Sequence, residues 1–144
     1  MKKWVMAFAL AMISSAASAG DWRFVSIGDD FAAGIDFSRR TRTGDIARAW
    51  VINSGTTKFQ LFLAEFDCRQ SSMTVLTSAT YDNLGNVIGQ SSARGAPVYS
   101  VPDTVGDNTL RAACDNKPNW LAGLNETYDR ARDFHDATGR VLFK

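Results

Sequence analysis

Short apolar segments divided by turn residues run along the chain from Gly20 to about residue 91. Alternation of apolar and polar side chains, with Gly, Asn, Asp and Ser between the segments, predicts β-strands. Six strands are predicted, at 22–27, 31–37, 46–53, 59–68, 73–81 and 87–91. The polar stretch 39–44 predicts a hairpin-like connection, and the spacing as a whole is typical of an antiparallel meander.

The fourth predicted strand, 59–68, is apolar on both of its faces through its first half. One face carries Phe62, Ala64, Phe66 and Cys68. The other face carries Phe59, Leu61 and Leu63 before Glu65 and Asp67 make it polar. A strand with two apolar faces is expected near the centre of a sheet, covered on both sides.

Helix is predicted only after Pro97 and Pro102. Thr104 is a good N-cap, and Asp107 three residues later completes a capping pattern for a helix that ends at Cys114. A second amphipathic pattern follows Pro118 and is expected to stop at Gly139. Its apolar positions are Leu121, Leu124, Tyr128, Ala131 and His135. The sequence leaves open whether this tail docks on the open sheet face, on a partner subunit, or nowhere.

The first residues predict export. Lys2 and Lys3 precede an uncharged apolar run at 4–13, and small residues lead to Ala19, the expected cleavage site of a secretory signal peptide. The apolar run is too short to span a bilayer. The residue directly after the expected cleavage site is Gly20 and not cysteine, so a lipoprotein anchor is not expected. We therefore expect a periplasmic or secreted protein without stable membrane insertion.

Net charge and cysteine content further limit the classes of partner and fold that this chain can have. Loss of Lys2 and Lys3 with the signal turns a formal net charge of +1 into −1, which gives no general attraction to nucleic acid. Cys68 and Cys114 are the two cysteines, and an oxidising compartment favours a disulfide over a metal pair or a reactive thiol. Cys114 can reach Cys68 only if its helix lies on the Phe62/Phe66 face. The sequence thus predicts an α+β fold, with a helix tethered to the sheet and a C-terminal helical tail.

No catalytic, cofactor or metal site is predicted. His135 is the only histidine and is expected at the surface or an interface, away from any strained serine turn. Glu65 and Asp67 share a strand face but read as the exposed end of a strand. Other carboxylates stand in turns, and no pair is placed across a cleft as glycosidases require.

The only local charge cluster is Arg39, Arg40 and Arg42. These arginines are candidate ligand contacts, since guanidinium groups hold carboxylate and sulfate well. The alternative is a hydrated turn that keeps a sheet edge from aggregating.

Several motifs in order resemble the surface-adhesin protein E-like domain of Gram-negative bacteria. Trp22 is followed by Ile35-Asp36-x-Ser38, then by Trp50 in a strand. The strongest element is Glu65-Phe66-Asp67-Cys68, followed by Tyr81 and a turn at Gly85. Pro102-Asp103-Thr104 then stands where the family has Pro-Gly-Ser, before the short helix ending in Cys114. The match spans roughly residues 21–114.

The resemblance implies an antiparallel sheet with a helix tied to it by a Cys68–Cys114 bridge. It also implies binding of host matrix and serum proteins and the ability to form a homodimer. The chain departs from the founding lipoprotein in lacking a lipobox cysteine and the tryptophan often found before Pro-Gly-Ser. It also has 30 residues after Cys114. These features divide the chain into a signal peptide (1–19), the sheet domain (20–115) and a helical tail (116–144).

The leading hypothesis is an exported, non-catalytic binding module of a bacterial envelope, with a protein or surface polymer as ligand. One alternative is a small periplasmic enzyme or enzyme inhibitor, which a deep pocket containing Glu65, Asp67 and an arginine would favour. Another is a dimeric accessory protein of the envelope that pairs through its apolar sheet face.

Overall fold

A computed structural model describes residues 19–115 and 126–142. These residues form one antiparallel sheet with a helix on each face, which confirms the predicted fold class. The strands are β1 (Trp22–Ile27), β2 (Ala32–Asp36), β3 (Thr41–Thr43), β4 (Ile46–Ser54), β5 (Lys58–Asp67), β6 (Ser72–Asp82), β7 (Val87–Ser91) and β8 (Val98–Tyr99). The helices are α1 (Val105–Cys114) and α2 (Ala131–Leu142).

The strands lie in the order β1-β2-β4-β5-β6-β7, with β3 paired to β4 and β8 paired to β6. All six predicted strands are present, and their ends differ from the predicted ones by one residue at most. β5 lies inside the sheet, hydrogen-bonded to β4 from Ile46↔Asp67 to Ser54↔Phe59 and to β6 along its full length. The central position expected from its two apolar faces is therefore confirmed.

The prediction for 39–44 is wrong in detail. Phe37–Arg39 form a short 3₁₀ helix, and Thr41–Thr43 form β3, which pairs with the first residues of β4. The hairpin turn is therefore reduced to Gly44 and Asp45, with Gly44 at a φ of +60° that suits glycine. β8 is a two-residue strand that the sequence pattern does not indicate, because its side chains are exposed on both faces.

The face of the sheet that carries Phe62, Ala64 and Phe66 is covered by α1. Thr104 caps this helix, accepting a hydrogen bond from the Asp107 N–H at 3.2 Å, as predicted. Leu110 and Ala113 enter the same apolar cluster. We call this side the α1 face.

The opposite side, the α2 face, is partly covered by α2. Phe134 and Ala137 pack there with Phe24, Ile52 and Phe59, so α2, the helix within the described part of the tail, docks on the open sheet face, one of the three alternatives. The described residues contain no helix that combines the length and the apolar character needed to cross a membrane.

Two details of the predicted tail helix are wrong. Tyr128 is not helical: its backbone pairs with Trp22, and the helix begins at Ala131. Gly139 does not end the helix, which continues to Leu142, because one glycine inside a helix costs only about 1 kcal/mol. Leu121 and Leu124 lie outside the described residues, as does the predicted signal segment before Ala19.

Candidate functional site

A cleft with a volume of about 380 Å³ opens on the part of the α2 face that α2 leaves uncovered. We call it the aromatic cleft. It is lined by Trp22, Arg39, Trp50, Leu61, Thr77, Ser78, Ala79, Tyr81 and Gln90. Trp22 belongs to the first strand of the sheet and Gln90 to the last. One cleft lined from both outer strands means that the sheet curls around it.

The floor of the aromatic cleft is continuous with the core beneath α2. Trp22 is almost fully buried, while Trp50, Leu61 and Tyr81 are half-buried and pack against that core. The Tyr81 ring stacks on Phe59 with 4.9 Å between the ring centroids. A mostly apolar cavity of this size with a few polar groups at its margin is the usual form of a ligand site.

A charge cluster lies further along the α2 face, on the same side of β5 as Leu61. Glu65 accepts hydrogen bonds from Arg48 at 2.8 Å and from Arg94 at 2.7 Å. The Arg94 and Arg48 guanidinium groups lower the pKa of this carboxyl. Glu65 therefore stays ionised at neutral pH, and the two arginines with this one carboxylate carry a net positive charge.

Asp36 explains the turn that places Arg39 at the cleft. Its carboxylate is fully buried and accepts hydrogen bonds from the N–H groups of Asp21 and Ser38, both at 3.0 Å. The Ser38 hydroxyl donates to it at 2.6 Å and Arg39 at 3.0 Å. The Asp36-x-Ser38 element is therefore a local turn that satisfies a buried charge.

The other two arginines of the predicted ligand-contact segment reach the end of α1. Arg40 donates to the carbonyl oxygens of Ala112 at 3.1 Å and Asp115 at 2.5 Å, and its guanidinium lies over the Phe37 ring. Arg42 donates to the carbonyl of Cys114. Cations at a helix C-terminus satisfy its unpaired carbonyl groups and complement its dipole. Of the three arginines only Arg39 lines the aromatic cleft, and ligand contact by this segment stays a prediction.

The predicted bridge between Cys68 and Cys114 is present, with the two Cα atoms 5.7 Å apart. Cys68 follows β5 directly and Cys114 is the last residue of α1. The bridge therefore joins the end of the central strand to the end of the helix that covers it. It lies on the α1 face, on the other side of the sheet from the aromatic cleft.

His135 is buried, so its prediction as a surface or interface residue is wrong. It is only 6 % exposed, its ring packs on Phe59, and its Nδ1 lies 2.7 Å from the Ser54 hydroxyl oxygen. It is buried because α2 turns Phe134, His135, Ala137 and Thr138 together toward the sheet. Burial lowers the pKa of His135, with Asp136 opposing and Arg132 adding to that shift.

The Ser54–His135 pair has the atoms of a nucleophile and base but not their accessibility. Ser54 has no exposed surface, so no substrate reaches its hydroxyl in this conformation. The pair is explained by the hydrogen bond itself, which satisfies two buried polar groups.

The carboxylates that the sequence singles out serve the fold. Asp67 accepts hydrogen bonds from the N–H groups of Arg69 and Gln70 and thereby caps the turn after β5. A surface depression lined by Thr41, Thr43, Ile46, Arg48 and Glu65 does not include Asp67. Within residues 19–115 and 126–142, no group of three or more His, Cys, Asp or Glu side chains could hold a metal ion.

No known protein family, no curated protein and no solved structure matches this chain. The resemblance to the surface-adhesin protein E-like domain thus stays an interpretation of the residues.

Sequence reasoning did not assemble the aromatic cleft. Trp22, Trp50 and Tyr81 stand out in the sequence, but only as elements of the resemblance. The available signal is strand alternation: Trp50 lies between Ala49 and Val51, which face α1, so its side chain must point to the α2 face. Leu61 and Ala79 join it through the register of β5 with β6, which the sequence does not specify.

Proposed function

We propose that this protein is an exported, non-catalytic binding module of a bacterial envelope that holds a protein or surface-polymer ligand in the aromatic cleft. The observation that carries the proposal is the cleft itself, an open cavity lined by two tryptophans, a tyrosine and an arginine. These residue types dominate the binding energy of protein interfaces. The resemblance to the surface-adhesin protein E-like domain implies a function of this kind.

The composition of the cleft supports binding over catalysis. Its lining holds no histidine, cysteine or carboxylate, which are the usual acids, bases and nucleophiles of enzymes. The buried Ser54–His135 pair and the doubly paired Glu65 are both engaged within the fold. Ligands that suit the cleft carry apolar or planar groups, with an anionic group toward Arg39 or the Arg48–Glu65–Arg94 cluster.

Two features support export. The first residues have the order of a secretory signal peptide. The disulfide joins two residues in a compact fold, and such bridges persist mainly in oxidising compartments.

The proposal is tested by binding of the purified oxidised protein to a panel of purified host extracellular-matrix and serum proteins. Ala79→Arg places a long charged side chain in the cleft and is expected to weaken binding at least tenfold, about 1.4 kcal/mol. Ala96→Arg is the matched control, because Ala96 lies in an exposed loop. Equal binding by the two variants contradicts a role for the cleft.

The arginine prediction is tested in the same assay with Arg39→Ala. Arg39 contacts both the cleft and Asp36, so its variant needs a far-ultraviolet circular dichroism spectrum equal to the wild type. Weaker binding with an unchanged spectrum supports ligand contact. Failure of every panel protein to bind contradicts the adhesin-like function.

A further inference from the structure

The two edges of the sheet differ in how they are protected. At the β1 edge, Trp22 and Tyr128 exchange two backbone hydrogen bonds of 3.0 Å, and Gly20 donates to the Asp129 carbonyl. At the opposite edge, β7 pairs with β6 on one side, and no strand of the described residues pairs with its outer side. Half of the backbone N–H and C=O groups of β7 therefore point away from the sheet.

β7 is short and its pairing with β6 is irregular at Ile88, but it lacks charge and proline, two features by which edge strands avoid pairing with other chains. Residues 83–93 contain no charged side chain and no proline. Leu84, Val87 and Ile88 are 68 %, 54 % and 60 % exposed. An uncharged edge with exposed apolar side chains favours addition of another strand.

The edge is also held in strand geometry at both ends. The Asp82 carboxylate accepts hydrogen bonds from the Leu84 and Asn86 N–H groups and from the Asn86 side chain, which fixes the turn before β7. At the other end the Thr77 hydroxyl donates to the Ser91 carbonyl at 2.9 Å. A strand that is ordered before binding loses little conformational entropy when a partner pairs with it.

We propose that β7 is a docking edge for an extended, uncharged peptide segment of a partner protein, which adds to the sheet as a further strand. Main-chain hydrogen bonds to β7 supply affinity, and side chains of the peptide meet the exposed Val87 and Ile88. The site goes beyond the ligand site proposed above. It is continuous with that site on one face, because Gln90 belongs to both β7 and the aromatic cleft.

The length of the edge favours a peptide over a second copy of the chain. β7 has 5 residues, whereas a stable interface between two folded proteins buries roughly 800 Å² on each partner. A peptide strand needs only the backbone groups and the side chains that flank them.

The test uses a displayed library of random linear peptides selected on the purified oxidised protein, with the best binder then synthesised. Ile88→Lys is expected to weaken its binding by at least roughly tenfold, since it puts a charge on the docking edge. Val98→Lys is the matched control. Val98 is a strand residue of nearly the same exposure, 62 %, on β8, and its variant is expected to bind like the wild type.

Two N-methylated forms of the synthetic peptide separate strand addition from simple apolar contact. Methyl groups on alternate amides block the hydrogen bonds of one side of a strand, so one form should lose binding and the other retain it. Equal binding by both forms overturns the proposal, as does a selection whose binders all depend on Val98 or on neither residue. A wild-type dimer in light scattering that Ile88→Lys dissociates also overturns it, since the edge then serves a second copy.

Discussion

The two helices cover opposite faces of one sheet, but they are held there by different interactions. α1 is tethered to β5 by the Cys68–Cys114 bridge, and its last carbonyl groups receive Arg40 and Arg42. α2 has no covalent tie and depends on side-chain packing, chiefly the Phe134 ring against Phe24 at a centroid distance of 4.1 Å.

The coverage of the two faces differs in the same way. On the α1 face, the small residues Ala47, Ala49 and Ala64 have no exposed surface. On the α2 face, Trp50, Leu61 and Tyr81 remain half-exposed beside the helix and line the aromatic cleft. The α1 face is therefore stabilised by the disulfide, while the α2 face retains a partly uncovered aromatic surface suited to binding.

Removal of the bridge should have the largest effect. Reduction of the wild-type protein is expected to lower the free energy of unfolding by about 4 kcal/mol, because the bridge closes a long loop in the unfolded chain. Guanidinium unfolding of the oxidised and reduced forms measures this difference. The Cys68→Ser/Cys114→Ser double variant should match the reduced form and be insensitive to reductant, and a loss below about 1 kcal/mol contradicts this role of the bridge.

Disruption of the α2 packing should have the next largest effect. Phe134→Ala removes a fully buried ring and is expected to cost roughly 3 kcal/mol. Gly34→Ala should disrupt the same contact from the β2 side, because a Cβ atom there would lie 2.4 Å from the Phe134 ring. Both losses are measured by chemical unfolding of the oxidised protein.

A double-mutant cycle sharpens this test. Gly34→Ala should cost less in the Phe134→Ala background, where the ring no longer blocks the new methyl group. Gly55→Ala is the matched control, since its Cβ would meet only ordinary contacts from 3.5 Å outward. Additive losses at Gly34 and Phe134 would show that α2 is not packed on β2 in this way.

A change of pH should have the smallest effect on the free energy of unfolding, and this effect should come from His135 on the α2 face. Burial lowers the pKa of His135 from 6.5, so the unfolded chain binds the proton more readily. The stability that neutral His135 contributes is therefore complete above about pH 6.5 and is lost as the pH falls through the lower folded-state pKa. Unfolding titrations at about pH 7.5 and about pH 5.5 measure the loss.

His135→Gln should remove this pH dependence, because the chain has no other histidine. The carboxyl groups of Glu65, Asp82 and Asp133 have lowered pKa values. They take up protons only at pH values below the range of this experiment, so they do not obscure the effect of His135. An unchanged slope in the variant would exclude His135 as its source.

The sheet was predictable because its signals are local. Alternation in β5 indicates two apolar faces, and the chain places turn residues at both ends of β6. The bridge was predicted from the two cysteines and the expected oxidising compartment, and it in turn predicted that the helix ending at Cys114 packs on the Phe62/Phe66 face. β3 and β8 escaped prediction because short edge strands with exposed side chains carry no apolar pattern.

The candidate site was less predictable because its parts meet only in the folded chain. Ser54 and His135 are 81 residues apart in sequence, and nothing local pairs them. Arg40 and Arg42 stand in a polar segment whose charge indicates a ligand, whereas their partners are the carbonyl groups of a helix 72 residues further along. The cleft needs the curl of the whole sheet, which no single segment specifies.

The central claim is that the uncovered part of the α2 face is the binding surface of this protein. A screen of small aromatic carboxylates against the isotope-labelled protein by nuclear magnetic resonance tests it most directly. We predict that the binders shift the Trp50 indole N–H and the Ala79 amide while leaving the residues around Val98 unchanged. Shifts confined to a second surface depression, lined by Val98, Tyr99 and Leu110 among others, or no shift at Trp50 with any compound, would contradict the claim.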